Sequence, residues 1–341
     1  MNNNEMTRAL ASVQRINSIT PITESDFLEL AHIKGWQCVV KKGEFLEGEL
    51  AVYFEVDSFL PEDERYEFLR KTSFRENDDN GRGFRIKTIR LRGQLSQGLL
   101  LPLASFLEVP PDTDEGIDVT ALLNVKKWYM PEAPAGTGTM IGGRPFGIPA
   151  SDEIRIQSAP ELLEQLAGEP YYISTKMDGT SCVVYSIGGK IGCCSRNFEI
   201  GDDKDALYWQ PVYLYGLREK LSSLGRDVVL TGELCGPGIQ KNRLRLSGYA
   251  WYVFDWREWE TLEYAGLDEM VKNCAMLGVP TVPVEETGER FDYDLPGLLE
   301  RARGKYPSGL DKEGIVIRHR EKPHAMSFKV LNNDALLKEK D

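Results

Sequence analysis

Several features that would advertise a function outright are scarce in this 341-residue chain. Its three histidines, His32, His319 and His324, form neither a recognisable metal set nor a triad. Six cysteines include the adjacent Cys193 and Cys194 but no CxxC pair. Zinc-finger and disulfide frameworks are therefore disfavoured, and buried reduced thiols are the default. No apolar run approaches bilayer length, and Met1 to Met6 lacks the basic segment and apolar core of a signal peptide. A soluble intracellular protein, cytoplasmic by default, is the expectation. Internal repeats and low-complexity tracts are also missing. Positive charge is in deficit, 41 Lys and Arg against 53 Asp and Glu, for a net charge of −12. An all-over nucleic-acid coat is thereby excluded, so any polyanion must be met by a local basic patch.

What is present reads as two domains, with residues 1–129 mostly β, a Gly-, Pro- and Thr-rich linker at 130–149, and a second domain over 150–341. In the first, Trp36–Val40 and the alternating Leu50–Asp57 look like strands of a small barrel or sandwich. A polar run, residues 76–83, reads as an exposed loop. It leads into Phe84–Arg92, FRIKTIRLR, where a β-bulge at Thr88 would keep Arg85, Lys87, Arg90 and Arg92 on one face. Such a face is either a solvated one or, in a chain this acidic, a phosphate contact. The linker sequence GTGTMIGG lacks the GK[ST] ending of a phosphate loop.

The second domain alternates strands with helical segments at Ala159–Leu166 and Asp205–Leu224. Strands are expected at Tyr171–Thr175, Ser181–Ile187, Lys190–Ser195, Val228–Leu234, Tyr249–Asp255, Gly314–His319 and Met326–Leu331. Turns such as Ile187-Gly-Gly-Lys190 favour antiparallel pairing, so an α+β domain on antiparallel sheet fits best.

The stretch Tyr171–Ser181, YYISTKMDGTS, delivers Lys176 from a strand into an abrupt MDG turn. A lysine fixed at a strand end is a candidate nucleophile, and a surface hairpin is the bland alternative. Downstream, other functional groups also sit at strand ends. Arg196 follows in SRN, and Glu233 closes VVLTGEL with Gly232 and Gly236 beside it. Phe254 lies in YVFDW, Glu313 opens GIVIRH, and Lys329 lies in SFKV. Taken singly, a strand-end Glu is usually solvated and a lone Phe is usually core.

Their order is more specific. KxDG, SRN, a strand ending in GE, YVFD, EGIVI and an FK strand resemble, in sequence order, the motifs of the lysine-dependent covalent nucleotidyltransferases. That superfamily comprises ATP-dependent RNA and DNA ligases and mRNA capping enzymes. The only candidate OB-fold lies in front, and RIKTIRLRGQLSQGLLLPL, YFEVDSFLP and SDEIRIQ are similar to the RNA ligase family with an N-terminal OB domain. The resemblance implies an OB-fold β-barrel followed by an antiparallel-sheet adenylation domain of ATP-grasp-like ligase type. It also implies ATP-dependent joining of RNA 3′-hydroxyl and 5′-phosphate ends through a lysyl-AMP on Lys176.

On that resemblance Asp178, Glu233 and Glu313 would hold Mg²⁺ or Mn²⁺, and Phe254 would stack on adenine beside Met177. Arg196 and Glu233 would contact ribose, Lys329 and Arg155 the phosphates, and Arg85, Lys87, Arg90 and Arg92 the RNA backbone or pyrophosphate. No obligate protein partner and no membrane are implied. One departure stands out: the family's last motif carries KxK, whereas Lys329 is flanked at that spacing by Ser327 and Leu331. Arg155, Lys312 or the OB-domain bases are the expected substitutes. A DNA ligase or capping enzyme shares the chemistry, and an inactive RNA-binding descendant of a ligase is the reading from another class.

Overall fold

The computed structural model describes residues 8–23, 25–77, 80–128, 136–149 and 152–338. The chain divides into two compact units, one of Met1–Pro131 with Gln157–Pro160 and the other of Glu132–Ile156 with Glu161–Asp341.

The first unit contains β1 (Ala11–Arg15), β2 (Ser18–Pro21), β3 (Leu28–Ile33), β4 (Trp36–Lys41), β5 (Leu50–Phe54), β6 (Ser58–Leu60), β7 (Phe74–Asn77), β8 (Gly81–Arg85), β9 (Thr88–Leu91), β10 (Gln94–Gln97), β11 (Leu99–Pro102) and β12 (Lys126–Lys127). They form sheets ordered β1-β5-β11, β2-β3-β4, β12-β6-β8-β7 and β9-β10, whose pairings do not close into a ring among the described residues. Alternation explains the packing. Val52 and Phe54 face one apolar cluster with Leu60, Phe84 and Phe106, while Ala51 and Tyr53 face another with Trp36 and Cys38.

The expected continuous basic strand is broken. Phe84 and Arg85 end β8, Thr88 starts β9 in a different sheet, and the chain turns again at Arg92-Gly93, both at positive φ. Arg85 is consequently buried, 4.0 Å from Asp57 and over the Trp128 ring at 5.1 Å, whereas Arg90 and Arg92 are exposed and Lys87 is half-buried. The four bases do not share one face. The expected loop at 76–83 is in its described part a β7–β8 hairpin, with Asp78 and Asp79 outside the described residues.

In the second unit β13 (Met140–Gly143), β14 (Tyr171–Lys176), β15 (Thr180–Ile187), β16 (Lys190–Cys194), β17 (Phe198–Ile200), β18 (Val228–Cys235), β19 (Ala250–Glu258), β20 (Val284–Gly288), β21 (Gly314–His319) and β22 (Ser327–Leu331) build two sheets. One is ordered β13-β17-β16-β15-β18-β19 and the other β20-β14-β21-β22, with every strand pair antiparallel. The turn at Gly188-Gly189, both at positive φ, joins β15 to β16 as its sequence requires.

Two expectations change here. The stretch read as linker supplies edge strand β13, while residues 130–135 of it lie outside the described residues. The long helix over 205–224 is divided into Gln210–Tyr215 and Leu217–Ser222 by Gly216 at φ 61°. A left-handed residue ends the first helix, and both pieces still bury Val212, Leu217 and Leu221 in one core with Trp251 and Trp256.

Candidate active site

The two sheets of the second unit meet at the end of β14. Lys176 is the last residue of that strand and pairs in register with Gly314, so it faces the residue just before β21, Glu313. The next turn lays Thr180 and Ser181 against Leu234 and Glu233 of β18. Gly179 is required by that close approach: a Cβ on it would lie 2.4 Å from the Leu234 carbonyl and 2.8 Å from Glu233 Cγ. Gly232, read from sequence as admitting a ligand, instead admits the protein's own Trp251, whose Nε1 would stand 2.6 Å from an added Cβ.

Around Lys176 lies a pocket lined by Asp152, Glu153, Ser174, Thr175, Met177 and Glu233, with Phe254, Val282, Val316, Arg318 and Lys329 completing it. Phe254 reaches this wall because of a bulge. Thr231 pairs with Asp255 and Gly232 with Val253, which leaves Phe254 as the extra residue and re-aims its ring. The pocket therefore joins an apolar slot, formed by Met177, Phe254, Val282 and Val316, to a charged end at Lys176, Glu233 and Lys329.

The electrostatics are set by burial and by pairing. Lys176 Nζ sits 2.8 Å from Glu313 Oε1. Burial alone would lower its pKa, but Glu313 and Glu233 outweigh burial and hold the ammonium above its ordinary range. Burial, helped by the like charges of Glu313 and Asp178, pushes Glu233 up to about 7 against the pull of Lys176. Lys329 moves the other way. Burial, with Lys176 and Arg155 nearby, brings it down to about 8 although Asp152 lies 2.9 Å from its Nζ.

The sequence-predicted residues are only partly brought together. Lys176, Met177, Glu233, Phe254 and Lys329 share the pocket, with Glu313 on its lysine. Arg155 is buried and pairs with Lys329 in a parallel backbone bridge, beside that lysine. Arg196 is held at the rim by Asp152, 2.5 Å from Oδ2, and the other oxygen of Asp152 takes Lys329. Asp178 accepts from the Arg243 backbone N–H at 2.9 Å and faces Arg243 Nε at 3.6 Å, while the Lys176 and Glu313 charges also act on it. Lys312 is buried against Glu285 at 2.8 Å.

Among the described residues no three His, Cys, Asp or Glu side chains converge as a ready metal cage. In this arrangement Asp178 accepts from Arg243 and the Lys176 ammonium stands beside Glu313. Glu233 and Glu313 still suit a hard cation, since Mg²⁺ is commonly held by one or two carboxylates with waters and substrate phosphates filling the remaining positions.

Arg318, Asp152 and Glu153 are site residues that no motif flagged. Arg318 is nearly enclosed, with Nη1 2.8 Å from Asp255 Oδ1 and Nη2 2.5 Å from Glu153 Oε1. Its guanidinium lies 5.2 Å from the Phe254 ring centre. Strand alternation carried the signal, since Val316 and Arg318 are two residues apart on the pocket face of β21. The incomplete KxK is also clarified. Leu331 is buried, whereas Ser327 shares the face of Lys329 and donates its hydroxyl to Glu153, so position 327 is where a second lysine would reach the pocket.

Comparison with known proteins agrees with this geometry. An OB-fold domain model matches residues 10–103, and an RNA ligase model matches residues 169–331. The structure of a Naegleria gruberi RNA ligase variant with AMP and Mn superposes with a TM-score of 0.92 at 34% identity, covering 98% of this chain and 100% of that one. The chain belongs to the RNA ligase family. A second variant of the Naegleria enzyme, with ATP and Mn, gives the same TM-score and identity, and the enzyme with pyrophosphate gives 0.91 at 34%. Both matches cover 98% of this chain and 100% of the other. No curated protein matches the sequence significantly. The ligase is thus a polynucleotide-joining enzyme acting on RNA, with an N-terminal OB-fold domain and a C-terminal ligase domain. None of its described helices is long and apolar enough to cross a membrane.

Proposed function

We propose that the ligase seals RNA 3′-hydroxyl and 5′-phosphate ends with ATP through a lysyl-adenylate on Lys176. The observation that carries this reading is Lys176 at the junction of an apolar slot bearing Phe254 with a charged end bearing Glu233, Glu313 and Lys329. Lys176 Nζ attacks the α-phosphorus of ATP, the bond to the β-phosphate oxygen breaks, and pyrophosphate leaves. Phe254 and Val316 enclose the adenine, and Lys329 neutralises the α-phosphate as charge develops on it. Arg155 adds positive charge beside Lys329, and Arg196 swings from Asp152 to ribose or RNA phosphate. AMP then passes to the RNA 5′-phosphate, and the 3′-hydroxyl displaces it.

Attack needs a neutral amine, yet Glu313 and Glu233 hold Lys176 protonated. A divalent cation, Mg²⁺ or Mn²⁺, bound by Glu233 and Glu313 would supply positive charge that offsets these carboxylates and lowers the lysine's pKa. Asp178, whose hydrogen bond to Arg243 fixes the turn, would add a third carboxylate near that cation.

We assign residues 1–129 to the OB domain and 150–341 to the adenylation domain, with exposed Arg90 and Arg92 as RNA contacts and buried Arg85 as structural. Six free and buried cysteines suit a reducing, cytoplasmic setting. The test is Lys176→Ala. Incubation with α-labelled ATP and a divalent metal, followed by denaturing electrophoresis, should label the wild-type 38.5 kDa band and leave the variant blank. A labelled variant would move the nucleophile elsewhere.

A further inference from the structure

The loop between Glu233's strand and Phe254's strand, GPGIQKNRLRLSG over residues 236–248, carries three bases within five positions: Lys241, Arg243 and Arg245. Residues 301–305 and 318–322 are as dense in bases, but their four arginines are all ion-paired. The backbone is held in an uncommon shape, with Gln240, Asn242 and Arg245 all at positive φ, 46°, 43° and 54°. Left-handed conformations at non-glycine residues cost about 1–3 kcal/mol each and persist only where the surroundings enforce them.

Here the enforcement comes from the catalytic site. Asp178, two residues from the nucleophile, accepts from the Arg243 N–H at 2.9 Å, and Ser308 Oγ donates to the Arg243 carbonyl at 2.5 Å. Asn242 exchanges two hydrogen bonds with Leu246, at 3.0 and 3.1 Å. Leu244 and Leu246 pack against Met177, Cys235 and Val282. With its apolar side pinned beside Lys176 and Arg243 buried, the loop leaves Lys241 and Arg245 exposed. Neither carries an ion pair among the described residues, whereas most of the chain's other arginines do.

We propose that this loop is an RNA clamp, in which Lys241 and Arg245 each contact a backbone phosphate of the strand being joined. The proposal rests on the RNA ligase reading and adds to it a phosphate-binding element anchored to the KMDG turn. Rigid anchoring places the two charges at a fixed distance from the nucleophile without desolvating them beforehand. RNA then supplies counter-charges that no described residue gives them.

The test uses the full chain with the double variant Lys241→Gln, Arg245→Gln, which removes charge while keeping side-chain length, and a second variant Lys241→Ala, Arg245→Lys as a check on loop integrity. Adenylation of Lys176 by ATP is measured alongside affinity for a single-stranded RNA carrying a 5′-phosphate, over a series of salt concentrations. Each phosphate contact on a single strand contributes about 0.7 to the slope of log K against log salt, or about fivefold in affinity at about 0.1 M salt. The double glutamine variant should therefore adenylate within about twofold of wild type, lose about 25-fold in RNA affinity, and shrink the slope by about 1.4. The Lys241→Ala, Arg245→Lys variant should lose only one contact's share. Unchanged affinity and slope would overturn the clamp, as would loss of adenylation with RNA binding intact. A wild-type chain that adenylates but neither binds nor joins RNA refutes the RNA ligase reading instead.

Discussion

Replacing Asp255 by Ala tests whether the pocket's aromatic wall depends on a buried charge pair. Arg318 and Asp255 are nearly enclosed, and their oxygen and nitrogen lie 2.8 Å apart. Burial by itself would raise the Asp255 pKa, but Arg318 holds it below the ordinary carboxylate range. Removing one partner of a buried pair costs about 3–5 kcal/mol, because the other charge is left uncompensated. Glu153 remains as a second counter-charge at 2.5 Å, so the low end, about 3 kcal/mol, is expected. For a domain of this size a change of 1 kcal/mol moves the melting temperature by about 2–4 °C. Thermal unfolding followed by circular dichroism should then show a drop of about 6–12 °C. The functional consequence follows from the same guanidinium, which donates to the Phe254 carbonyl at 2.6 Å and lies over its ring. KM for ATP should rise with it. The paired replacement Asp255→Leu with Arg318→Met should recover most of the stability, since swapping a buried pair for apolar groups is often neutral, while the weakened ATP binding should remain. A single-variant drop under about 3 °C would refute the argument, because it would mean that water or another group already compensates Arg318.

Two further outcomes follow from titratable groups away from the nucleophile. Glu285 binds Lys312 at 2.8 Å and Arg301 at 2.6 Å, and accepts from Thr175 at 2.7 Å. Burial would raise its pKa, but these partners bring it below the usual value. A depressed carboxylate stabilises the fold fully above the unfolded pKa of about 4.3 and loses that contribution as pH falls through the folded value. Glu285→Gln should therefore lower the melting temperature at pH 7 but only slightly near pH 3, and an equal loss at both pH values would sink the assignment. All six cysteines are free and buried, and burial pushes Cys38, Cys194 and Cys274 up to about 12. A thiol reagent at neutral pH should label none of these three until denaturant is added, and rapid labelling of the native protein would contradict their enclosure.

Much of the second unit was legible because its strands are short, apolar and punctuated by turns with strong local chemistry. Lys176, Glu233, Phe254, Glu313 and Lys329 were proposed from the order of their motifs, and the fold brings four of them to one pocket with Glu313 2.8 Å from the lysine. The basic strand failed because alternation was read through Lys87, where the chain instead leaves one sheet for another and Arg85 turns inward against Asp57 and Trp128. Asp178 has a partner that local sequence could not show: the Arg243 backbone N–H it accepts from is 65 residues away. The strand at Met140–Gly143 was hidden because Gly and Thr dominate a segment that pairs along one edge only.

The sequence by itself determined the chemistry available here: a lysine closing a strand, carboxylates and an aromatic at other strand ends, and too little positive charge for anything but local contact with RNA. Those are properties of residue type, spacing and local propensity, which need no knowledge of distant neighbours. Tertiary structure decided which groups meet and in what state of charge. Only the pairing of β14 with β21 sets Lys176 against Glu313 and holds it protonated, only the bulge in β19 turns Phe254 into the pocket, and only the packing of the 236–248 loop onto Met177 and Asp178 leaves Lys241 and Arg245 facing solvent. Each depends on contacts between segments far apart in the chain, and burial and Coulomb terms exist only once those contacts are made.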